Sequence, residues 1–265
     1  MLIDTHCHLD APEFGDVADI VAAARDSGVA GIVVPAVEPA NFESVRSLAH
    51  RFDGVAYALG IHPMFVERAG SDALESLAAA LAEWSGDPKL VAIGEIGLDH
   101  FVPGLDRALQ ERMFRAQLAM AREAGLPVLM HVRRAQDRVL KHLRASGVGG
   151  GIAHAFNGSR QQAEAFIDCG CALGFGGAMT YARARRIRAL AAGLPRAAIV
   201  LETDAPDIAP AWLEAGPNRP QELARIGATL ADLRGESPAA VASWTGANAL
   251  AVLPRLARAL TRLPS

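Results

Sequence analysis

Short apolar runs alternate with helical patterns from one end of this chain to the other, and that alternation restricts the available folds more than any other feature. The runs are Leu2 to Asp4, Ala30 to Pro35, Val55 to Gly60, Leu90 to Glu95, Pro127 to His131, Gly151 to His154, Ala172 to Phe175 and Ala198 to Glu202, which makes eight candidate strands. Between them the spacing changes. In Asp72 to Trp84, residues Leu74, Leu77, Ala78, Leu81 and Trp84 recur on one helical stripe, as do Leu223, Ile226, Leu230 and Leu233 further on. A helix between every pair of strands requires crossover connections, and these make the strands parallel. Eight such units close into a TIM (β/α)8 barrel, with an open doubly wound sheet as the structural alternative. The expectation is therefore an α/β chain with one barrel domain spanning 1–265, a length that suits this architecture.

Composition excludes some function classes. Hydrophobic residues make up 51% of the chain but are dispersed, and no run approaches the roughly 18 apolar residues of a membrane span. The opening MLIDTHCHLD lacks the basic-then-apolar pattern of a secretory signal, so a cytoplasmic protein is expected. Cys7, Cys169 and Cys171 are too few and too uneven for a disulfide framework and read as reduced thiols. A net charge of −3 gives no overall basic field, so any contact with a polynucleotide must be local. The Arg183, Arg185, Arg186 and Arg188 run reads as a solvated helix face, with a phosphate-tracking strip as the alternative if it borders the site. The longest irregular stretch, Ala205 to Arg219, follows the last strand and is either a surface connection or a lid.

The chemistry gathers where the strands end. His6 and His8 are two residues apart, so in extended backbone both imidazoles point to one side while Cys7 points to the other. Glu95, His131, His154 and Asp204 then follow four later strands. Barrel strands converge at their C-terminal ends, so all six side chains are expected to meet there. Left unpaired in a core, each polar group would cost roughly 2–7 kcal/mol, and a metal supplies the missing partner. Six nitrogen and carboxylate donors exceed the set used by one catalytic zinc, which points to two divalent ions, zinc, manganese or magnesium, bridged by Glu95. A water between the ions would lose a proton near neutral pH and act as nucleophile, with Asp204 both ligating and serving as general base. His62, in Ile61-His62-Pro63, and Arg133, two residues after His131, are the candidate substrate-binding residues.

These residues lie in segments that resemble one family. DTHCHLD at Asp4 to Asp10, GIHP at Gly60 to Pro63, GEIGLD at Gly94 to Asp99 and LETDAP at Leu201 to Pro206 are similar in order and spacing to TatD-family hydrolases, over nearly the full length. GFGGAMTY at Gly174 to Tyr181 and GPNRP at Gly216 to Pro220 are closer to the YjjV type within that family. The resemblance implies a TIM barrel of the metal-dependent hydrolase type. It also implies His6, His8, Glu95 and Asp204 around one ion, and Glu95, His131 and His154 around the other. It implies metal-dependent cleavage of a phosphodiester substrate, with DNA as a candidate and a deoxyribonuclease as the expected activity. The alternatives are an amidohydrolase acting on a small ester, lactone or cyclic amide, which directs the same nucleophile at carbon, and a metal-binding scaffold without catalysis. Six intact candidate ligands argue against the scaffold.

Overall fold

The computed structural model describes residues 1–260, so the last five residues of the expected 1–265 domain lie outside the described residues. Each expected run forms a strand: β1 (Leu2–Asp4), β2 (Val29–Pro35), β3 (Val55–Leu59), β4 (Leu90–Asp99), β5 (Val128–Arg133), β6 (Gly151–Ala153), β7 (Cys171–Phe175) and β8 (Ile199–Leu201). The eight pair in sequence order, each parallel to the next, as a TIM barrel requires. This removes the open doubly wound alternative, whose strand order would be permuted. Between β8 and β1 the barrel closes just beyond the strands. Thr5 N–H donates to Leu201 O at 3.1 Å, Asp204 N–H to His6 O at 2.8 Å and His8 N–H to Ala205 O at 2.8 Å.

Seven helices follow the first seven strands less regularly in length than in order: α1 (Val17–Asp26), α2 (Phe42–Arg51), α3 (Ala73–Glu83), α4 (Arg107–Ala124), α5 (Gln136–Ser146), α6 (Arg160–Asp168) and α7 (Arg185–Gly193). After β8 come α8 (Leu223–Arg234), α9 (Pro238–Val252) and α10 (Leu256–Leu260). Among the described residues no helix is long and apolar enough to cross a membrane. Every residue of β3, β4 and β7 is buried, because helices cover the outer face and side chains fill the barrel. That two-sided burial is why these strands read as unbroken apolar runs and not as alternating ones.

The strand bounds differ from the sequence reading chiefly at β4, which continues through Asp99 where an end at Glu95 was expected. A register shift between Ile93 and Ile96 lets pairing with β5 resume at Ile96 and run to Asp99. Glu95 therefore sits inside a strand and not at its tip. The other difference lies at the barrel floor. Ile3, Val33, Val91, Leu129, Ile152 and Val200 fill the interior and pack on Ala249, Leu253, Leu256 and Ala259 of the C-terminal segment. Ser237 begins this segment by accepting from Ala240 N–H at 3.2 Å, with Pro238 in the first turn where no donor is needed.

Leu256 is fully buried in this plug, so Leu256→Ala should leave a cavity under the barrel. The expected destabilisation is about 2–5 kcal/mol, read by urea unfolding monitored through tryptophan fluorescence. A change below about 0.5 kcal/mol would mean that the C-terminal segment does not seal the floor.

Candidate metal centre

The barrel's C-terminal end gathers the six expected ligands and His62 around one carboxylate. His6 and His8 lie just past β1, on backbone held to the β8 side by the seam bonds, and their rings sit 5.0 Å apart on one side. Cys7 points the other way and is fully buried, as alternation requires. His131 is within β5, His154 directly follows β6 and Asp204 lies three residues past β8. Asp204 has φ +58, a left-handed conformation that a short polar side chain tolerates better than most. His62 follows β3, and its turn is pinned by two buried glutamines seven residues apart on α4. Gln117 pairs with both Ile61 N–H and Ile61 O, at 2.7 and 3.1 Å. Gln110 donates to Pro63 O at 3.1 Å while accepting from Asp99 N–H at 3.1 Å.

Glu95 divides its two oxygens between two sets of nitrogens. Oε2 lies 3.1 Å from His6 Nε2 and 3.6 Å from His8 Nε2. Oε1 lies 3.0 Å from His154 Nε2, 3.1 Å from His131 Nδ1 and 3.3 Å from His62 Nε2. Asp204 Oδ1 joins the first set, 3.6 Å from His6 and 3.7 Å from His8. The second set forms a tight triangle, since His154 Nε2 and His131 Nδ1 are themselves 3.4 Å apart. Three groups here bring donor atoms close enough to hold a cation: His6, Glu95 and His154; His6, His8 and Asp204; and His62, Glu95 and His131.

The donor chemistry fits a divalent metal. A cation about 2.0–2.2 Å from nitrogen and oxygen donors can touch every corner of a triangle this small. Burial opposes charge on Glu95, but His62, His154 and His6 outweigh it and hold the carboxyl well below its ordinary range. Burial pushes His6 down to about 3 and His62 down to about 4, so both imidazoles are neutral. For His154 burial again lowers, yet Glu95 and Asp204 prevail and raise it to about 10. An ionised carboxylate inside a ring of imidazoles is a place for positive charge, and two of the imidazoles, His6 and His154, keep a buried Nδ1 without a partner.

Further polar residues support the centre that sequence reasoning did not single out. Asp4 is fully buried and accepts from Thr203 Oγ1 at 2.6 Å, Thr203 N–H at 2.9 Å and His6 N–H at 3.3 Å, tying the His6 segment to the Asp204 segment. Burial raises its carboxyl to about 7. Glu202 lies behind His154, its Oε1 3.9 Å from His154 Nδ1. Asp99 is also fully buried, and its Oδ2 lies 3.0 Å from His131 Nε2. For Glu202 and Asp99 the period-two spacing to an expected ligand, Glu202 with Asp204 and Asp99 with Glu95, is a legible signal. Arg133 stands at the rim, its Nη1 3.8 Å from Asp99 and its guanidinium 3.9 Å over the Phe101 ring. The Ala205 to Arg219 stretch is fastened at its base, where buried Asn218 donates to Thr203 O at 2.9 Å and Asp207 O at 3.0 Å.

Comparison with known proteins gives the site a context. A family model described as TatD-related DNase matches residues 3–254. The chain is 42% identical over 236 residues to the uncharacterized metal-dependent hydrolase YjjV of Escherichia coli, covering 88% of this chain and 90% of that protein. It is 35% identical over 256 residues to a Salmonella typhimurium protein named 3'-5' ssDNA/RNA exonuclease TatD, covering 94% and 97%. The crystal structure of E. coli YjjV, a TatD homologue, superposes with a TM-score of 0.90 at 39% identity, over 99% of this chain and 98% of that one.

Gly97 is the backbone position on which the second set of donors depends. It pairs in register with His131, has φ +148, and a Cβ built on it would lie 2.0 Å from His131 O. The missing side chain lets the backbone of β5 approach β4 at His131, whose ring lies between the carboxylates of Glu95 and Asp99, the residues that flank Gly97 at period two. Gly97→Ala is expected to destabilise the protein by about 1–3 kcal/mol or more in chemical denaturation, through strain and the forced separation of β4 from β5. A variant as stable as the parent would contradict this packing.

Proposed function

We propose, from the premise that this chain belongs to the TatD family of metal-dependent hydrolases, that it cleaves phosphodiester bonds at a centre for two divalent cations. The observation that carries this reading is the division of Glu95, with one oxygen toward His6 and His8 and the other toward His131 and His154. His6, His8, Glu95 and Asp204 are assigned to one cation, and Glu95, His131 and His154 to the other. Nitrogen with carboxylate suits zinc or manganese, and magnesium remains a candidate. Bound there, such cations supply Lewis acidity and make a water more acidic.

The chain's own side chains carry the remaining work. Asp204 turns Oδ1 toward the imidazoles, which leaves Oδ2 to take the proton of the attacking water as a general base. His62 Nδ1 accepts from Met64 N–H at 3.2 Å, so its proton sits on Nε2, where it can donate to a nonbridging oxygen of the substrate. Arg133, half exposed and steadied on Phe101, is placed to meet the same anionic group from the rim. Phe101 is 44% exposed beside it and offers an apolar face to a base. The name of the Salmonella relative, an exonuclease for single-stranded DNA and RNA, favours phosphorus over carbonyl carbon as the centre attacked.

The reading is tested with metal-free protein reconstituted separately with each divalent ion. Substrates are bis(p-nitrophenyl) phosphate, p-nitrophenyl acetate and end-labelled single-stranded DNA. Metal should restore cleavage of both phosphodiesters, and Asp204→Asn should reduce it by about 10²–10⁴-fold in a folded protein. Turnover of the carboxylic ester alone would transfer the site to the amidohydrolase reading. Glu95→Gln should weaken binding of both cations together, by metal analysis after dialysis, and loss of only one would end its shared role.

A further inference from the structure

The structure assigns a positioning role to Asp99: it fixes the His131 ring as the tautomer with its proton on Nε2, so that the Nδ1 lone pair is presented beside Glu95. The inference rests on the proposed role of His131 as a ligand but not on the identity of the substrate. Each ring nitrogen of His131 faces a different carboxylate, Nδ1 at 3.1 Å from Glu95 Oε1 and Nε2 at 3.0 Å from Asp99 Oδ2. Only one of them can keep the single proton of a neutral imidazole. Glu95 Oε1 already faces His154 Nε2 at 3.0 Å and His62 Nε2 at 3.3 Å, whereas Arg133 comes no nearer than 3.8 Å to Asp99 Oδ2, so His131 is the partner that Asp99 needs.

Asp99 is itself held from behind. Its Oδ1 accepts from Phe101 N–H at 2.8 Å and Val102 N–H at 2.9 Å, and its own N–H is taken by Gln110 Oε1. The carboxylate is fully buried and cannot rotate without leaving two backbone donors unpaired. Oδ2 therefore stays an acceptor aimed at Nε2, and the proton belongs there. Nδ1 is left with a lone pair in the triangle formed with His154 Nε2 and Glu95 Oε1. A carboxylate behind a ligating imidazole sets ring orientation and basicity, and its loss typically weakens metal binding by about 10–100-fold.

The same two backbone donors make Asp99→Asn an unusually sharp probe. They require an oxygen at the Oδ1 position, so the new amide must turn its NH2 toward His131 Nε2. An NH2 donor there needs the Nε2 lone pair, which drives the ring proton to Nδ1 and closes the donor atom meant for the cation. Asp99→Ala removes the acceptor without imposing the wrong tautomer, though it strips the loop of its anchor. A purely structural role ranks alanine as the worse change. A tautomer role ranks asparagine as the worse change for cation binding, even though it preserves the fold better.

The experiment titrates metal-free wild type, Asp99→Asn and Asp99→Ala with Mn2+ by calorimetry. In parallel, the ring nitrogens of His131 are read by long-range 1H–15N correlation, and stability is read in urea. One Mn2+ site should weaken by about 100-fold in asparagine and by about 10-fold in alanine, with alanine the less stable protein. Burial opposes charge on this ring, but Asp99 and Glu95 outweigh it and hold the ring protonated above its ordinary range. The spectra are therefore read at a pH high enough to leave it neutral, where the wild-type ring should carry its proton on Nε2 and the asparagine variant's on Nδ1. A wild-type ring protonated on Nδ1, equal Mn2+ binding in all three proteins, or weaker binding in alanine than in asparagine would overturn the assignment. Should His131→Ala keep both Mn2+ sites, the ligand role falls and this inference with it. Should wild type bind Mn2+ yet leave bis(p-nitrophenyl) phosphate intact, only the phosphodiester reading fails.

Discussion

One ionised carboxylate, buried at the top of a barrel and ringed by five imidazoles, is the constraint on which the rest of this structure depends. Glu95 lies within 3.0–3.6 Å of His6, His8, His62, His131 and His154 and is almost inaccessible to water. A carboxylate in such a place is costly unless every lone pair is met, and each neighbour must in turn be held in position. The surrounding structure answers that need. Two glutamines on α4 pin the His62 turn, Asp4 with Thr203 ties the His6 segment to the Asp204 segment, and Asp99 braces His131. Polar residues buried away from the centre would weaken the fold, whereas here they form a connected network.

The barrel supplies what no single element could. The six candidate ligands come from five places in the chain, and only a closed parallel sheet brings strands so far apart in sequence to one small volume. Closure itself runs through the site. The backbone bonds that join β1 to β8 are made by Thr5, His8 and Asp204, two of which belong to the donor set. Formation of the site and closure of the barrel are thus one event at that seam. The opposite end bears no such burden, which is why an apolar plug of Leu253, Leu256 and Ala259 suffices there.

How much of this could be read in advance depended on periodicity. The strands were legible because two-sided burial makes them short, continuous apolar runs, and the donors were legible because ionisable residues at the ends of such runs have few structural explanations. His6 and His8 announced themselves by alternation. Two features escaped for physical reasons. The extension of β4 past Glu95 depends on a register shift and on Gly97, whose consequence appears only when β5 is laid beside it. The plug of α9 and α10 was hidden because its buried residues face a barrel interior that has no counterpart in the local sequence. Asp99 fell between these cases: alternation from Glu95 pointed to it, but its role could be seen only once His131 lay between the two carboxylates.

The two layers of this site answer different selective demands. Five imidazoles packed 3.0–3.6 Å from Glu95 leave little freedom, since one displaced imidazole alters its neighbours through that carboxylate. The rim is freer: the Arg133 and Arg134 guanidinium groups lie over the Phe101 ring, and of these three side chains Arg133 alone reaches inward, to 3.8 Å from the braced Asp99. On the proposed reading, changes at the rim alter which substrate is gripped while the inner donors stay in place, and changes behind the donors, at Asp99 or Gln110, act on the inner set. The chemistry open to a barrel of this kind is set by the inner residues and their braces, and on the proposed reading the choice of substrate falls to Arg133 at the end of β5 and to Phe101 on the loop after β4.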